Sequence, residues 1–385
     1  MNYEATVIPE PRGLTLSQRL KDRTQNKRRR TLSGKLLEGN TKGPPQEHVV
    51  FFHGGAGADD EEWYQSRKQG SDNAAQLGEK LITSGLYSTG DVAVQMVANA
   101  EYDVNLIAGI GSGKNKGGRH QCDAFFMYPD SLGAVTAIGG EIKNAVYAAK
   151  LVQNKPSASI ITGEDATKFA KKQGLTFYTG HELTAGFNAG AESRHKLYTP
   201  SSDTVGAIVA AKWNGIWEIA IAGSTGGMPD KEPGRVGDCG VPGAGFYVKR
   251  IVNEYTNSSR IAAALLSGIG EATMIPLPAA YWVQNAISSG YDSYTGEDQI
   301  LKILKTEVNG DPGWGALAGL TIAEGREVKK TSIVILSTVP YFAYSAYSNL
   351  PNLSINVAPQ VTTNKSYMRN SEYRLIKVGT SLSST

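Results

Sequence analysis

Apolar positions in this chain fall into short dense runs, separated by stretches rich in glycine, proline and polar residues. HVVFFHGGAG, residues 48–57, reads as a buried strand running into a glycine-rich turn. Residues 72–86 and 90–100 carry helical periodicity. A glycine-rich loop and a strand follow over 105–124, then a strand over 131–140 and a helix over 141–153 stopped before Pro156. Residues 157–175 give a short strand and a helix ended by Gly174. The pattern then dissolves: ELTAGFNAGAESRHKLYTPSSD, residues 182–203, is small, polar and aperiodic, and reads as a flexible linker. It returns at once with TVGAIVAAK (204–212) and WEIAIAGS (217–224), two adjacent buried strands. After a Gly/Pro-dense loop at 226–245, strands are expected at 258–266, 314–324, 329–338 and 342–348, and helices at 277–289 and 295–307. Strands and helices come in blocks, not in strict βαβ order, which favours a layered α+β sandwich over a doubly wound sheet.

Composition changes this picture only at the N-terminus. The 385 residues are 40% hydrophobic and 19% charged, enough for a sizeable core, and no apolar run approaches membrane-spanning length. Residues 1–47 hold ten Lys/Arg against five Asp/Glu, so the net +3 of the chain resides in this segment and the remainder is slightly acidic. The body therefore has no nucleic-acid signature. The segment reads as a partly disordered basic extension with a short helix near Leu14–Leu20, and Lys27-Arg28-Arg29-Arg30 leaves a nuclear address open. MNYEATVIPEPRG lacks the features of a signal peptide, and Cys122 and Cys239 have no metal-site spacing. A cytoplasmic or nuclear location, with neither membrane nor nucleic acid as partner, is expected.

Candidate chemistry concentrates where order resumes, at Asp203-Thr204-Val205-Gly206. Breaking the bond before Thr204 would give that residue a free α-amine beside its own hydroxyl. An α-amine titrates near ~8 and is a usable base at neutral pH, so such a threonine needs no histidine partner. Alone, the tetrapeptide is an ordinary strand start. It is accompanied by Ser224-Thr225-Gly226-Gly227, Pro233-Gly234-Arg235-Val236-Gly237-Asp238, Val241-Pro242-Gly243-Ala244-Gly245, Ser267-Gly268-Ile269-Gly270-Glu271 and, upstream, His53-Gly54-Gly55-Ala56-Gly57. AGIGSGKN (108–115) is not a P-loop, since Ala108 and Asn115 occupy positions that need Gly and Ser/Thr; no G-x-S-x-G esterase elbow is present.

This ordered set resembles the asparaginase-2 family of N-terminal nucleophile (Ntn) hydrolases over roughly residues 49–325. The family includes plant-type asparaginases with isoaspartyl peptidase activity, glycosylasparaginases and the threonine aspartase, taspase. The resemblance implies an αββα four-layer sandwich over 48–385. It also implies self-cleavage between Asp203 and Thr204 into an α-chain half (48–203) and a β-chain half (204–385), and dimers of the cleaved units. By the same resemblance Thr204 is the nucleophile, Thr225 its supporting hydroxyl, and Ser267 and Gly268 the oxyanion pair. Arg235 would hold a substrate α-carboxylate, Asp238 an α-ammonium, and Gly270 would leave room for substrate. No catalytic metal or organic cofactor is implied. Ile107 stands where relatives carry Asn. The Asp before the nucleophile, the Ser267 motif and TSIVILSTVPYFAYSAYS favour a taspase-like threonine aspartase cutting a protein at an aspartyl site. The alternative is an isoaspartyl peptidase/L-asparaginase acting on small β-aspartyl amides, which Asp238 favours; an inactive binding relative is a further alternative.

Overall fold

Burial on both faces is what makes the central strands apolar throughout. All nine residues of Val205–Trp213 are buried, yet they belong to two different cores. Val205, Ala207, Val209 and Ala211 pack toward helices, while Ile208 and Ala210 pack toward a second sheet. In Glu47–Gly57 the same parity sends Val50 and Phe52 one way and Val49 and Phe51 the other. Successive side chains of a strand point to opposite faces, so a strand between two apolar layers needs a continuous apolar run.

The computed structural model describes residues 42–57, 61–179, 182, 204–253, 255, 258–288, 297–308, 313–325, 329–339, 341–351 and 353–357. In chain order the strands are β1 (Glu47–Gly57), β2 (Gln121–Tyr128), β3 (Ser131–Gly139), β4 (Ile160–Thr162), β5 (Val205–Trp213), β6 (Ile216–Thr225), β7 (Phe246–Asn253), β8 (Ser258–Gly268), β9 (Gly315–Glu324), β10 (Lys329–Ser337), β11 (Tyr341–Ser348) and β12 (Leu353–Val357). The helices are α1 (Glu61–Thr83), α2 (Thr89–Ala100), α3 (Ala145–Gln153), α4 (Gly163–Lys172), the single turn α5 (Gly270–Thr273), α6 (Pro278–Ser288) and α7 (Glu297–Leu304). One sheet has the order β11-β1-β5-β6-β2-β3-β4 and the other β12-β10-β9-β8-β7. Helices α1 to α4 cover the outer face of the first sheet, and α6 and α7 cover the second. The inner faces meet through Phe51, Phe125, Ile208, Ile221, Phe246, Leu265 and Leu320, with Phe125 and Phe246 stacked at a centroid distance of 3.7 Å. This is the αββα sandwich expected from the sequence.

Several boundaries differ from expectation. Helix α1 begins at Glu61, not residue 72, because its buried side includes Gly70, Ser71 and Ala74, too small to register as hydrophobic periodicity. Helix α3 begins at Ala145, since Ile142 is bridged to Phe177 before the helix starts. Strands β7 and β12 were not expected. FYVKRIVN is an edge strand whose burial fades after Val248, and Lys249 and Arg250 mask its pattern. Gly43 and Gln46, assigned to the extension, are bound to the body: Trp213 Nε1 donates to the Gly43 carbonyl (2.9 Å) and the Gln46 amide to that of Lys212 (2.9 Å). The expected helix near Leu14–Leu20, and the linker apart from Glu182, lie outside the described residues. No helix among the described residues is long and apolar enough to cross a membrane.

Helix α6 reaches the second sheet through Trp282, whose ring rests on the backbone of Gly319 in β9. A Cβ at 319 would lie 2.3 Å from Trp282 Cη2. We expect Gly319→Ala to destabilise the protein by about 1–3 kcal/mol through overpacking, seen as a lower midpoint of thermal unfolding; an unchanged midpoint would show that Trp282 can retreat freely.

Candidate active site

Strand register assembles the first part of the site. Strand β5 pairs Val205 with Ser224 and Gly206 with Gly223 of β6, so the residue preceding β5, Thr204, faces Thr225. On the far side of β6, Thr225 pairs with Asp123 of β2. Parity places Thr204 with Ile208, and Thr225 with Ile221, on the face that meets the second sheet. From that sheet Ser267, two residues beyond Leu265 on β8, points back into the same gap. The Thr204 N–H lies 3.3 Å from Ser267 Oγ, and so does the N–H of Ala56 at the end of β1. Thr204, Thr225, Ser267 and Asp123 are all buried. Asp203 lies outside the described residues.

The Gly/Pro-dense loop supplies the second part, held by charges within it and beneath it. Asp123 accepts from the N–H groups of Ala137 (2.7 Å) and Gly237 (2.8 Å). Lys231 Nζ donates to the carbonyls of Gln121 (2.7 Å) and Gly226 (2.8 Å). Gly226 N–H in turn donates to the Ile107 carbonyl (2.8 Å), a main-chain bond that the isoleucine side chain leaves intact. Gly227 N–H donates to Thr225 Oγ1 (3.0 Å). Arg235 forms a bidentate pair with Glu271, Nε to Oε1 at 2.8 Å and Nη2 to Oε2 at 2.7 Å. Asp238 is buried; its Oδ1 accepts from Cys239 N–H (3.0 Å), and its Oδ2 has no partner among the described residues. At Gly270 a Cβ would stand 3.1 Å from Arg235 Nη2 and 3.0 Å from the Asp238 nitrogen, so this glycine keeps the space between the two charges open. Gly268 follows Ser267 and pairs with Gly315 at the end of β8.

The structure thus gathers Thr204, Thr225, Ser267 and Gly268 at one end, and Arg235, Asp238 and Gly270 at the other, with Gly227 between: it binds Thr225, and its α-carbon faces Arg235 Nη1. A model of the family described as asparaginase matches residues 46–319. The chain belongs to the asparaginase-2 family. It is 33% identical over 275 residues to the zebrafish (Danio rerio) isoaspartyl peptidase/L-asparaginase, an alignment covering 68% of this chain and 83% of the relative. It is 31% identical to the isoaspartyl peptidase of Salmonella typhimurium (60% and 76% covered). It is 34% identical to the plant-type L-asparaginase of Pyrobaculum calidifontis (59% and 76%).

Within this asparaginase-2 chain the site is rich in charges taken out of water. Burial pushes the Asp238 carboxyl up to about 7, against the pull of Arg235. Burial likewise raises Asp123, opposed by Lys231, and raises Glu101 to about 7 although Ser224 Oγ donates to it at 2.6 Å. Burial disfavours the Arg235 cation, but the hydrogen bonds and charge of Glu271 more than offset this and raise its pKa. His53 is fully buried against Gly206 and Phe342, with both ring nitrogens unpartnered among the described residues; burial lowers it to about 3, so it is neutral. Cys122 and Cys239 are buried and unpaired, and no three His/Cys/Asp/Glu side chains among the described residues gather to hold a metal.

Sequence reasoning assigned no role to Glu271, Asp123, Lys231 or Glu101. Glu271 was visible as the last residue of its motif, and Asp123 as an acid inside an apolar strand; the partners of both come from distant segments.

The raised Asp238 fixes a sign for stability against pH. The unfolded carboxyl ionises near its ordinary value, whereas the folded one keeps its proton until about pH 7. The stability carried by that proton is complete in acid and is lost as pH rises through 7. Asp238→Asn lacks this loss. We expect its melting midpoint, relative to the parent protein, to rise by a few degrees between pH 5 and pH 8. A difference that does not vary with pH would contradict a burial-shifted Asp238.

Proposed function

We propose that this chain is a self-processing threonine amidohydrolase with isoaspartyl peptidase and L-asparaginase activity. The observation that carries the reading is the buried Asp238 oxygen without a partner, beside the Arg235 guanidinium across the glycine-kept space at 270. A lone buried carboxylate oxygen calls for a cation, and a guanidinium calls for an anion. A free amino-acid end offers both, an α-ammonium and an α-carboxylate, on one carbon. The names of the three relatives above support the same class. A protein substrate cut in mid-chain has no free α-ammonium for Asp238, so the small-substrate reading now stands ahead of the threonine aspartase that the sequence motifs put first.

The chemistry follows from Thr204. In the precursor its Oγ attacks the carbonyl of Asp203; the peptide C–N bond breaks, an ester forms and the nitrogen takes up a proton. Water then cleaves the ester, leaving the Asp203 carboxyl on one chain and the α-amine of Thr204 on the other. In turnover that amine takes the hydroxyl proton while Oγ attacks the β-amide carbonyl of the substrate, and gives it to the departing nitrogen. Water hydrolyses the resulting acyl-threonine and releases the aspartyl product. Ser267 accepts the bonds from Thr204 and Ala56, so its own hydroxyl proton remains to be donated; with the Gly268 N–H it would stabilise the developing oxyanion, each such donor being worth about 3–4 kcal/mol. The Thr225 hydroxyl across the strand would hold Thr204 Oγ in place. The active form is proposed to be a homodimer of cleaved units.

Intact-mass measurement should find two chains, residues 1–203 and 204–385, and one uncut chain for Thr204→Ala, which should lose at least a thousandfold in turnover. Splitting of that variant would count against the mechanism. β-Aspartyl dipeptides and L-asparagine should be hydrolysed; cleavage of a protein at an Asp-Gly site, with neither small substrate turned over, would restore the threonine aspartase reading.

A further inference from the structure

Arg235 is held by one carboxylate and still has an edge free. A guanidinium presents five N–H bonds in a rigid plane, and Glu271 takes the side edge formed by Nε and Nη2. The end edge, formed by Nη1 and the second proton of Nη2, has no partner among the described residues. It is bordered by two glycines of its own loop and one from the turn after β8: a Cβ would lie 3.3 Å from Nη1 at Gly227, 2.8 Å from Nη1 at Gly237 and 3.1 Å from Nη2 at Gly270. Asp123 and Asp238 act on Arg235 by charge, but neither forms a hydrogen bond with it.

We infer that Glu271 is a positioning residue. It locks the side edge of Arg235, so that the end edge faces the glycine-bordered gap and receives the α-carboxylate of the substrate as a second bidentate pair. The inference rests on the amino-acid-end reading above and assigns a new residue to it. A long arginine side chain loses rotamer freedom when fixed, and a partner that fixes it beforehand removes part of that cost from substrate binding. Glu271 is well placed for this. It sits in the first turn after the Ser267-Gly268 strand end, so the fold that sets the oxyanion donors also sets the arginine's partner. Its side chain is 35% exposed against 13% for Arg235, and glutamine has the same shape, so Glu271→Gln changes charge without changing volume.

The test compares two substrates that differ only at the α-carboxylate: a β-aspartyl dipeptide and the same compound with that group converted to the carboxamide. We expect the parent enzyme to prefer the carboxylate. Glu271→Gln keeps one of the two bonds, and should raise KM for the carboxylate substrate about tenfold while kcat changes less than threefold, so the preference falls about tenfold. Glu271→Ala should lower it further. In an Arg235→Lys background, where no fork exists to be oriented, Glu271→Gln should leave the preference unchanged. A purely structural role would scale both substrates equally, so a parent that turns over the dipeptide with a preference unmoved by Glu271→Gln overturns the inference. A parent that turns over neither substrate overturns the functional reading, and this inference with it.

Discussion

Ser267 joins the two sheets at the point where the candidate chemistry gathers. Its hydroxyl oxygen, on β8 of the second sheet, receives the N–H of Thr204 and the N–H of Ala56 from two neighbouring strands of the first. Everything else in the site is arranged around that meeting of layers. Sheet register brings Thr225 across from Thr204 and Asp123 across from Thr225. A slip of one residue in β5 or β8 would turn the hydroxyl toward helices and leave an apolar side chain in its place. The apolar parity of the strands, with Ile208, Ile221 and Leu265 filling the space between sheets, is therefore what aims the polar residues at their ends.

Beyond that junction the site is a set of charges whose hydrogen-bonding capacity is nearly used up. Asp123 spends its oxygens on the main chain of the loop, Lys231 spends two donors on carbonyls, and Glu271 occupies one edge of Arg235. Buried polar groups left unmet are costly; among the described residues Asp238 Oδ2 is one, and the end edge of Arg235, close by, carries no hydrogen bond. They are opposite in sign and lie on either side of Gly270. On the reading proposed above, a ligand of matching polarity would recover what they cost, and pH acts on the same place through the burial of Asp238.

Much of this was legible beforehand. The strands over 48–57, 204–212 and 217–224 are long apolar runs with clear starts, and the structure has them within a residue or two. The motifs around Thr204, Thr225, Arg235 and Ser267 carried the family. The ranking within the family rested on Asp203, the Ser267 motif and the C-terminal strands; the names of the relatives and Asp238, whose meaning depends on a lone pair beside a guanidinium, favour the alternative instead. Strand β7 was missed because an edge strand whose burial fades tolerates charges on both faces, Lys249 bonded to Gln284 of α6 and Arg250 exposed.

The sequence by itself determined that two buried strands follow a patternless linker, that a threonine stands at their start, and that the glycine-dense loop after them carries an arginine and an aspartate three residues apart. These are local facts, written in periodicity and spacing. Only the tertiary structure decided that Ser267 reaches Thr204 from another sheet, that Glu271 takes one edge of Arg235 and leaves the other, and that Asp238 keeps a free oxygen. Those depend on which side chains arrive from distant segments and on how much water is excluded when they do, and no window of sequence contains either.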